Sequence, residues 1–376
     1  MINNQSKIEK LITELCPNGV EFKELGKICK IETGKLNANA AVDDGEYMFF
    51  TTAKEPSRID RFRWDTEALL IAGNANVGEI KHYIGKFEAY QRTYVLTNFS
   101  KGVDVRFLFF SLSDNFKKYL ENHTNSAAMT YIVLSTLQDF KIPLPPLAIQ
   151  EEIVKILNSF TELEAELEAE LEARKKQYEY YREELLMFGD DIKWATLNEV
   201  CLSINAGGDL PENYLKGQKI PTKEFPYPIY SNGSDEKALY GYTDSYKIDD
   251  EAVTISARGT IGYHIVRDAK FTPIVRLITL IPNTQIVIPK FLSYVLDITE
   301  IGHSGGSIPQ LTVPNVKKIK IPVPEILEQE RIVSILDKFD ALVNDISIGL
   351  PAELKARRSQ YEYYRGKLLT FKEYAK

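Results

Sequence analysis

Apolar residues recur every third or fourth position over a long stretch in the middle of this chain. Ile149, Ile153, Ile156, Phe160, Leu163, Leu167, Leu171, Tyr178, Tyr181 and Leu185 mostly follow that spacing, which predicts one long helix with a single apolar seam. Between Glu162 and Ala173 the leucines fall strictly four apart, in the run ELEAELEAELEA. That spacing advances the stripe by about 40° per repeat, so the seam drifts around the helix and needs a partner that bends with it. A second stripe, Ile332, Leu336, Phe339, Val343, Ile346 and Leu350, keeps coiled-coil spacing further along. Two seamed helices in one chain most simply pack on each other. Gly349 and Pro351 interrupt the second pattern. A proline within a helix removes a hydrogen bond, so a kink or break is expected there.

The two stripes belong to a larger duplication. IPLPPLAIQEEIVKILNSF from Ile142 is matched by IPVPEILEQERIVSILDKF from Ile321, with Gln150 against Gln329, and QYEYYR occurs at Gln177 and again at Gln360. Upstream, VEFKELGKIC parallels IKWATLNEVC, and ALLIAGNANVGEI from Ala68 parallels AVTISARGTIGYH from Ala252. Phe87, Arg92, Leu96 and Phe107 then match Phe271, Arg276, Leu280 and Phe291. The chain therefore reads as a globular domain over residues 1–141, a long helix over 142–189, a second globular domain over 190–320 and a second long helix over 321–376. Each globular half mixes short β-like runs (YMFFTT, ALLIA, TYVLT; PIYS, AVTIS, RLITLI) with one amphipathic helix (RFLFFSLSDNFKKYLEN; PKFLSYVLDIT). The expected fold is α+β: two similar domains with curved, mixed or mostly antiparallel sheets, separated by two long antiparallel coiled-coil helices. The duplication implies a pseudo-symmetric object that binds something with two halves or two equal partners. Before each long helix an Ile-Pro-x-Pro lead-in holds the chain extended and sets a sharp helix start.

Charge changes this picture only in one place. The net charge is −7, and the segment 142–189 carries 5 basic against 11 acidic side chains, while the other three segments are balanced to within one charge. Any basic face on the globular halves must come from the arrangement of charges. The acidic helix suits a spacer or a protein-docking surface. No run of about 18 apolar residues exists and the first residues lack a cleavable apolar region, so a soluble, cytoplasmic protein is expected. Cys16, Cys29 and Cys201 form no CxxC pair and no disulfide framework.

The usual catalytic signatures are missing. Thr33, Gly34 and Lys35 resemble the end of a phosphate loop, but no glycine sits five residues before Gly34 and Leu36 follows the lysine. GNANVG (Gly73–Gly78) and GHSGG (Gly302–Gly306) read as turn glycines. His82, His123, His264 and His303 show no metal spacing, and no GxSxG elbow occurs. Pro145 and Pro146 are flanked by leucines, unlike the Asn-Pro-Pro-aromatic motif of amino-methyltransferases.

The paired IPxPxxxxQxxIVxIL helix starts, the paired QYEYYR helix ends and the tetrad run together resemble the specificity (S) subunit of type I restriction-modification systems, over essentially the whole chain. AKEPSRID, EALLIAGNANVGEI and AYQRTYVL in the first half, and YPIYSNG and AVTISARGTIG in the second, are similar to pieces of that family's target-recognition domains. The resemblance implies that each globular domain reads one half of a bipartite site in double-stranded DNA and that the helices form a rigid spacer. It implies two methylation subunits carrying S-adenosylmethionine as partners, and two restriction subunits using ATP and Mg²⁺ in the full complex. This chain itself would bind no cofactor and catalyse nothing. The alternatives are a coiled-coil scaffold whose globular halves bind proteins, which predicts no salt-sensitive DNA binding, and an enzyme with an unrecognised site, which predicts activity of the isolated chain.

On that reading, candidate DNA contacts follow from side-chain chemistry. Lys54, Arg58, Arg61 and Arg63, interleaved with Phe62 and Trp64 in a segment where the halves diverge, suit phosphate or groove contact. Asn74, Asn76 and Gln91 have the paired donors and acceptors that read adenine, and Arg258 those that read guanine. Asn232, Ser234 and Lys237 follow a Tyr-Ser-Asn-Gly turn, and Lys81 and Thr260 complete the candidates. Arg92 and Arg276 recur in both halves, so holding the fold or contacting phosphate suits them better than selecting a base.

Overall fold

The computed structural model describes residues 6–122, 131–189, 191–301 and 310–374. It divides into two compact units, Met1–Glu168 with Glu353–Lys376, and Ala169–Ala352. The long helices are thus shared between the units, each unit holding one globular domain and part of the helical segment.

The first unit is built on a six-stranded sheet in the order Lys30–Thr33, Thr93–Thr97, Trp64–Ala72, Ile80–Ala89, Tyr47–Phe50, Ser57–Ile59. Neighbours run antiparallel except Ile80–Ala89 beside Tyr47–Phe50, which are parallel with Phe50 opposite Ala89. Thr93–Thr97 (TYVLT) is buried along its whole length and shows no alternation of buried and exposed positions. One face, with Leu69, Ile71 and Leu96, packs on Leu108, Leu112 and Phe116 of helix Val105–Asn122. The opposite face gathers Phe50, Trp64, Leu70, Phe87 and Val95, with Trp64 stacked on Phe87 at 5.4 Å. Fully burying each such side chain contributes about 1.5–3 kcal/mol. Gly34 is glycine for a packing reason: a Cβ there would lie 1.8 Å from the Ala89 carbonyl oxygen.

A ribbon of Glu21–Glu24 and Lys141–Leu144 leads into the helix Leu147–Leu186. Its first turns pack Ile149, Ile153 and Leu157 against Ile8, Phe107, Phe110 and Leu369. Within this unit it runs antiparallel to Leu350–Leu368. Phe160 lies 5.6 Å from Tyr364 and 6.2 Å from Tyr361, and Arg358 bridges Glu164 and Glu168. Arg365 donates to the buried Asp114 at 3.0 Å.

The second unit repeats the element order but splits the sheet. Cys201–Ala206, Leu277–Pro282, Ala252–Ser256 and His264–Arg267 form one four-stranded sheet; Tyr214–Lys216, Leu239–Thr243, Tyr227–Tyr230 and Thr272–Pro273 form another. The single strand Ile80–Ala89 of the first unit thus corresponds to two pieces here. Lys270, with φ +71°, ends the pleat between them, whereas the first unit bends at Gly85 (φ +134°) and continues. Ile255, Ile278 and Leu280 pack on Phe291 and Val295 of helix Pro289–Ile298, which carries proline in its first turn. Tyr178 and Tyr181 lie 6.3 and 5.6 Å from Phe339.

Two expectations need correction. In place of one long helix over 321–376 there are two, Ile326–Asn344 and Leu350–Leu368, so of the kink or break expected at Gly349 and Pro351 it is the break that occurs. Pro351 sits in the first turn of the second piece, where its missing N–H has no intrahelical acceptor. Ile346 falls between the helices and is 76% exposed, outside any seam. Leu163, inside the tetrads, is 44% exposed, because the drifting stripe turns it away from the packed face.

Candidate nucleic-acid interface

The hairpin turn Ala72–Gly78 of the first unit and Ser256–Gly262 of the second have the same backbone. Gly78 N–H donates to the Ala72 carbonyl at 2.9 Å and Gly262 N–H to the Ser256 carbonyl at 3.0 Å. Glu79 N–H to Asn76 O and Tyr263 N–H to Thr260 O repeat at 3.0 and 3.1 Å. Ala75 and Gly259 occupy the same left-handed position, φ +56° and +78°, and Gly78 and Gly262 another, +79° and +85°. Each turn is tied down on one side by a carbonyl of the paired arginines: Gly73 N–H donates to Arg92 O at 2.8 Å, and Ala257 N–H to Arg276 O at 2.9 Å.

On the other side a neighbouring turn is clasped. Asn76 Nδ2 donates to the Thr52 carbonyl at 2.8 Å, and Thr260 Oγ1 donates to the Asn232 carbonyl at 3.0 Å. Thr52 and Asn232 are equivalent positions, two residues beyond Phe50 and Tyr230, which pair with Ala89 and Pro273 in the same register. Lys81 Nζ reinforces the first clasp by donating to Ala53 O at 2.7 Å; Asn232 Nδ2 reinforces the second by donating to Arg258 O at 2.7 Å.

Several other candidates are engaged within the chain. Arg63 lies over Trp64 at 4.5 Å, 3.6 Å from Glu32, and donates to Thr33 O at 3.3 Å. Arg58 donates to Glu46 O at 3.3 Å and Gln91 to Asn37 Oδ1 at 2.9 Å. Asn74 Oδ1 is buried without a partner among the described residues. Ser234 contributes its carbonyl to the turn, accepting from Lys237 N–H at 3.0 Å. By contrast Lys54, Arg61, Arg92, Arg258 and Arg276 make no ion pair or side-chain hydrogen bond among the described residues, and all but the half-buried Arg258 are exposed. Lys54 borders an open hollow of about 640 Å³ that Asn76, Ser113 and Lys117 also line. Lys117 and Ser113 escaped the sequence reading; the only signal was their four-residue spacing on one face of a helix.

The remaining reactive side chains are accounted for structurally. Burial pushes the Cys29 and Cys201 thiols up to about 12, at equivalent helix ends, which disfavours the reactive thiolate in both. His82 contacts Glu67 at 2.9 Å. His264 faces acceptors on both ring nitrogens: Gly262 O at 2.8 Å, and Ser293 O at 3.0 Å with Asp297 Oδ1 at 3.2 Å. Burial opposes its charge, but the Asp297 bond and the carbonyls of Gly262 and Ser293 outweigh that and hold its pKa above the ordinary value. His123, His303 and the GHSGG run lie outside the described residues. Among the described residues no cluster of three or more His, Cys, Asp or Glu could hold a metal. No described helix is long and apolar enough to cross a membrane.

Two domains on one frame with different clasps define a duplicated protein, and comparison with known proteins gives the class. The model of the type I restriction modification DNA specificity domain matches residues 17–173 and again 190–356, and the chain belongs to that family. A Mycoplasma pneumoniae protein named as a type I specificity subunit is 33% identical over 345 residues, covering 87% of this chain and 94% of its own. A Haemophilus influenzae protein named as a type I restriction enzyme specificity subunit is 32% identical over 400 residues, covering 99% and 100%. The crystal structure of the S subunit of a type I restriction-modification system from M. genitalium shares the fold, with a TM-score of 0.58 at 18% identity over 93% of this chain and 96% of that one.

Proposed function

We propose that this chain is the sequence-reading subunit of a type I restriction-modification complex, each globular domain reading one half of a bipartite DNA site. The observation that carries the reading is one turn frame built twice with different side chains. The same backbone then presents two chemistries, as two different half-sites require. Arg92 and Arg276, exposed beside each turn, serve as phosphate contacts common to both halves, and Lys54 and Arg61 add charge in the first. Two methylation subunits dock on the helical segment and bring S-adenosylmethionine; two restriction subunits bring ATP and Mg²⁺-dependent chemistry. This chain supplies recognition and no catalysis, and the complex works in the cytoplasm.

The tetrads set the unread gap, since each adds about 6 Å of helix against about 3.4 Å per base pair. The test is co-expression with the methylation subunit of its system and genome-wide mapping of modified adenines. A bipartite motif with a fixed gap is expected, and deletion of one ELEA tetrad should change the gap and leave both half-sites intact. A complex that forms but modifies no bipartite motif would refute the reading.

A further inference from the structure

We infer that Asn76 and Thr260 are positioning residues for DNA reading and are not base readers, an inference that rests on the specificity function above. Asparagine and threonine are both residues that read base edges, and both lie in the turns that differ between the halves. Yet each commits a donor inside the protein, to the backbone carbonyl of an equivalent residue, Thr52 or Asn232. A carbonyl acceptor places no demand on side-chain identity at its own position, so Thr52 and Asn232 can differ while the clasp persists. The donors differ too, a carboxamide in one unit and a hydroxyl in the other, yet the turns they close share hydrogen bonds and left-handed positions throughout. A base reader would have its polar atoms free and its identity dictated by the base. Each of these two has a donor engaged on a carbonyl, and an identity set by reach to that carbonyl. The clasp fixes the distance between the loop that follows Phe50 or Tyr230 and the hairpin turn, and so sets where Lys54 stands beside the turn in the first unit, and how Ser234 and Arg258 converge on one stretch of DNA in the second.

The proposal separates from a base-reading role by exchange. In the purified complex with the methylation subunit, binding is measured on duplexes carrying the mapped site and on duplexes with one base changed in either half. N76V should weaken cognate binding by about fivefold to tenfold, the value of one lost hydrogen bond, and should blunt discrimination in one half-site alone. N76T should restore both affinity and the original bases; T260V and T260N should behave in the same way for the other half-site. A changed base preference in N76T or T260N overturns the proposal, because it would make the side chain a reader. So does a valine variant that keeps full affinity and discrimination. The exchange pair swaps the two native clasps, and so decides the matter even where a valine variant fails to fold. Absence of any bipartite preference in the unmodified complex is a separate result, refuting the specificity reading itself.

Discussion

Gln150 and Gln329 are the same residue making the same three bonds in the two units, whereas the hairpin turns Ala72–Gly78 and Ser256–Gly262 keep their backbone and change their side chains. Gln150, fully buried, accepts from Asp104 N–H at 2.9 Å and donates to Gly102 O and Pro145 O at 2.8 and 2.6 Å. Gln329, also fully buried, accepts from Ile288 N–H and donates to Ile286 O and Pro324 O, each at 2.9 Å. Each glutamine welds the Ile-Pro-x-Pro lead-in of a long helix to the loop that starts the domain's amphipathic helix. Three bonds from one side chain leave no room for substitution, while a single bond to a backbone carbonyl leaves a good deal. Frame and turn thus differ in how many bonds a position must satisfy.

The largest test of that separation removes the frame. Gln150→Leu and Gln329→Leu keep volume but strand one buried N–H and two carbonyls, which should cost each unit about 3–5 kcal/mol. Denaturant unfolding followed by amide exchange should show each loss confined to its own unit and similar in size. Unequal losses would break the equivalence.

A smaller effect sharpens it, because His264 has no counterpart: Ile80 stands at its place in the first half. Its folded pKa is raised, so the stability it contributes is present in full below the unfolded value of about 6.5 and is lost as pH rises through the folded value. Amide exchange in the strand His264–Arg267 and helix Pro289–Ile298 should therefore quicken beyond the intrinsic rate across that window. His264→Gln should abolish this component. Smallest is the exchange at the left-handed position: Gly259→Ala should cost about 1 kcal/mol and Ala75→Gly should gain about 0.5 kcal/mol in thermal melting. A Cβ at Gly259 would come no closer than 3.6 Å to Asn232 Nδ2, so the cost is backbone strain alone.

Much of the frame was legible in the sequence because its signals are local. The spacing from Ile149 to Leu185 predicts the helix Leu147–Leu186, and the prolines before it predict its start. The second helix was harder to read: Val343, Ile346 and Leu350 keep seam spacing, but Gly349 and Pro351 outweigh it, and Ile346 is left in solvent. The split of the second sheet coincides with a positive φ at Lys270, and lysine carries no sign of one. The site was least legible. The acceptors that engage Asn76, Thr260 and Lys81 are backbone carbonyls brought near by strand pairing, and every residue has one. Side-chain type therefore marked Asn76 and Arg92 alike, although one is tied inward and the other stands free.

The stack of Trp64 on Phe87 has a spectroscopic consequence. The chain holds two tryptophans, Trp64 in the first unit and Trp194 in the second, 8% and 46% exposed. Emission from the first arises in an apolar, arginine-covered environment shielded from dissolved quenchers, and emission from the second in partial contact with water. Each unit thus carries its own intrinsic fluorophore, and the two are told apart by colour and by access to iodide without any label being added.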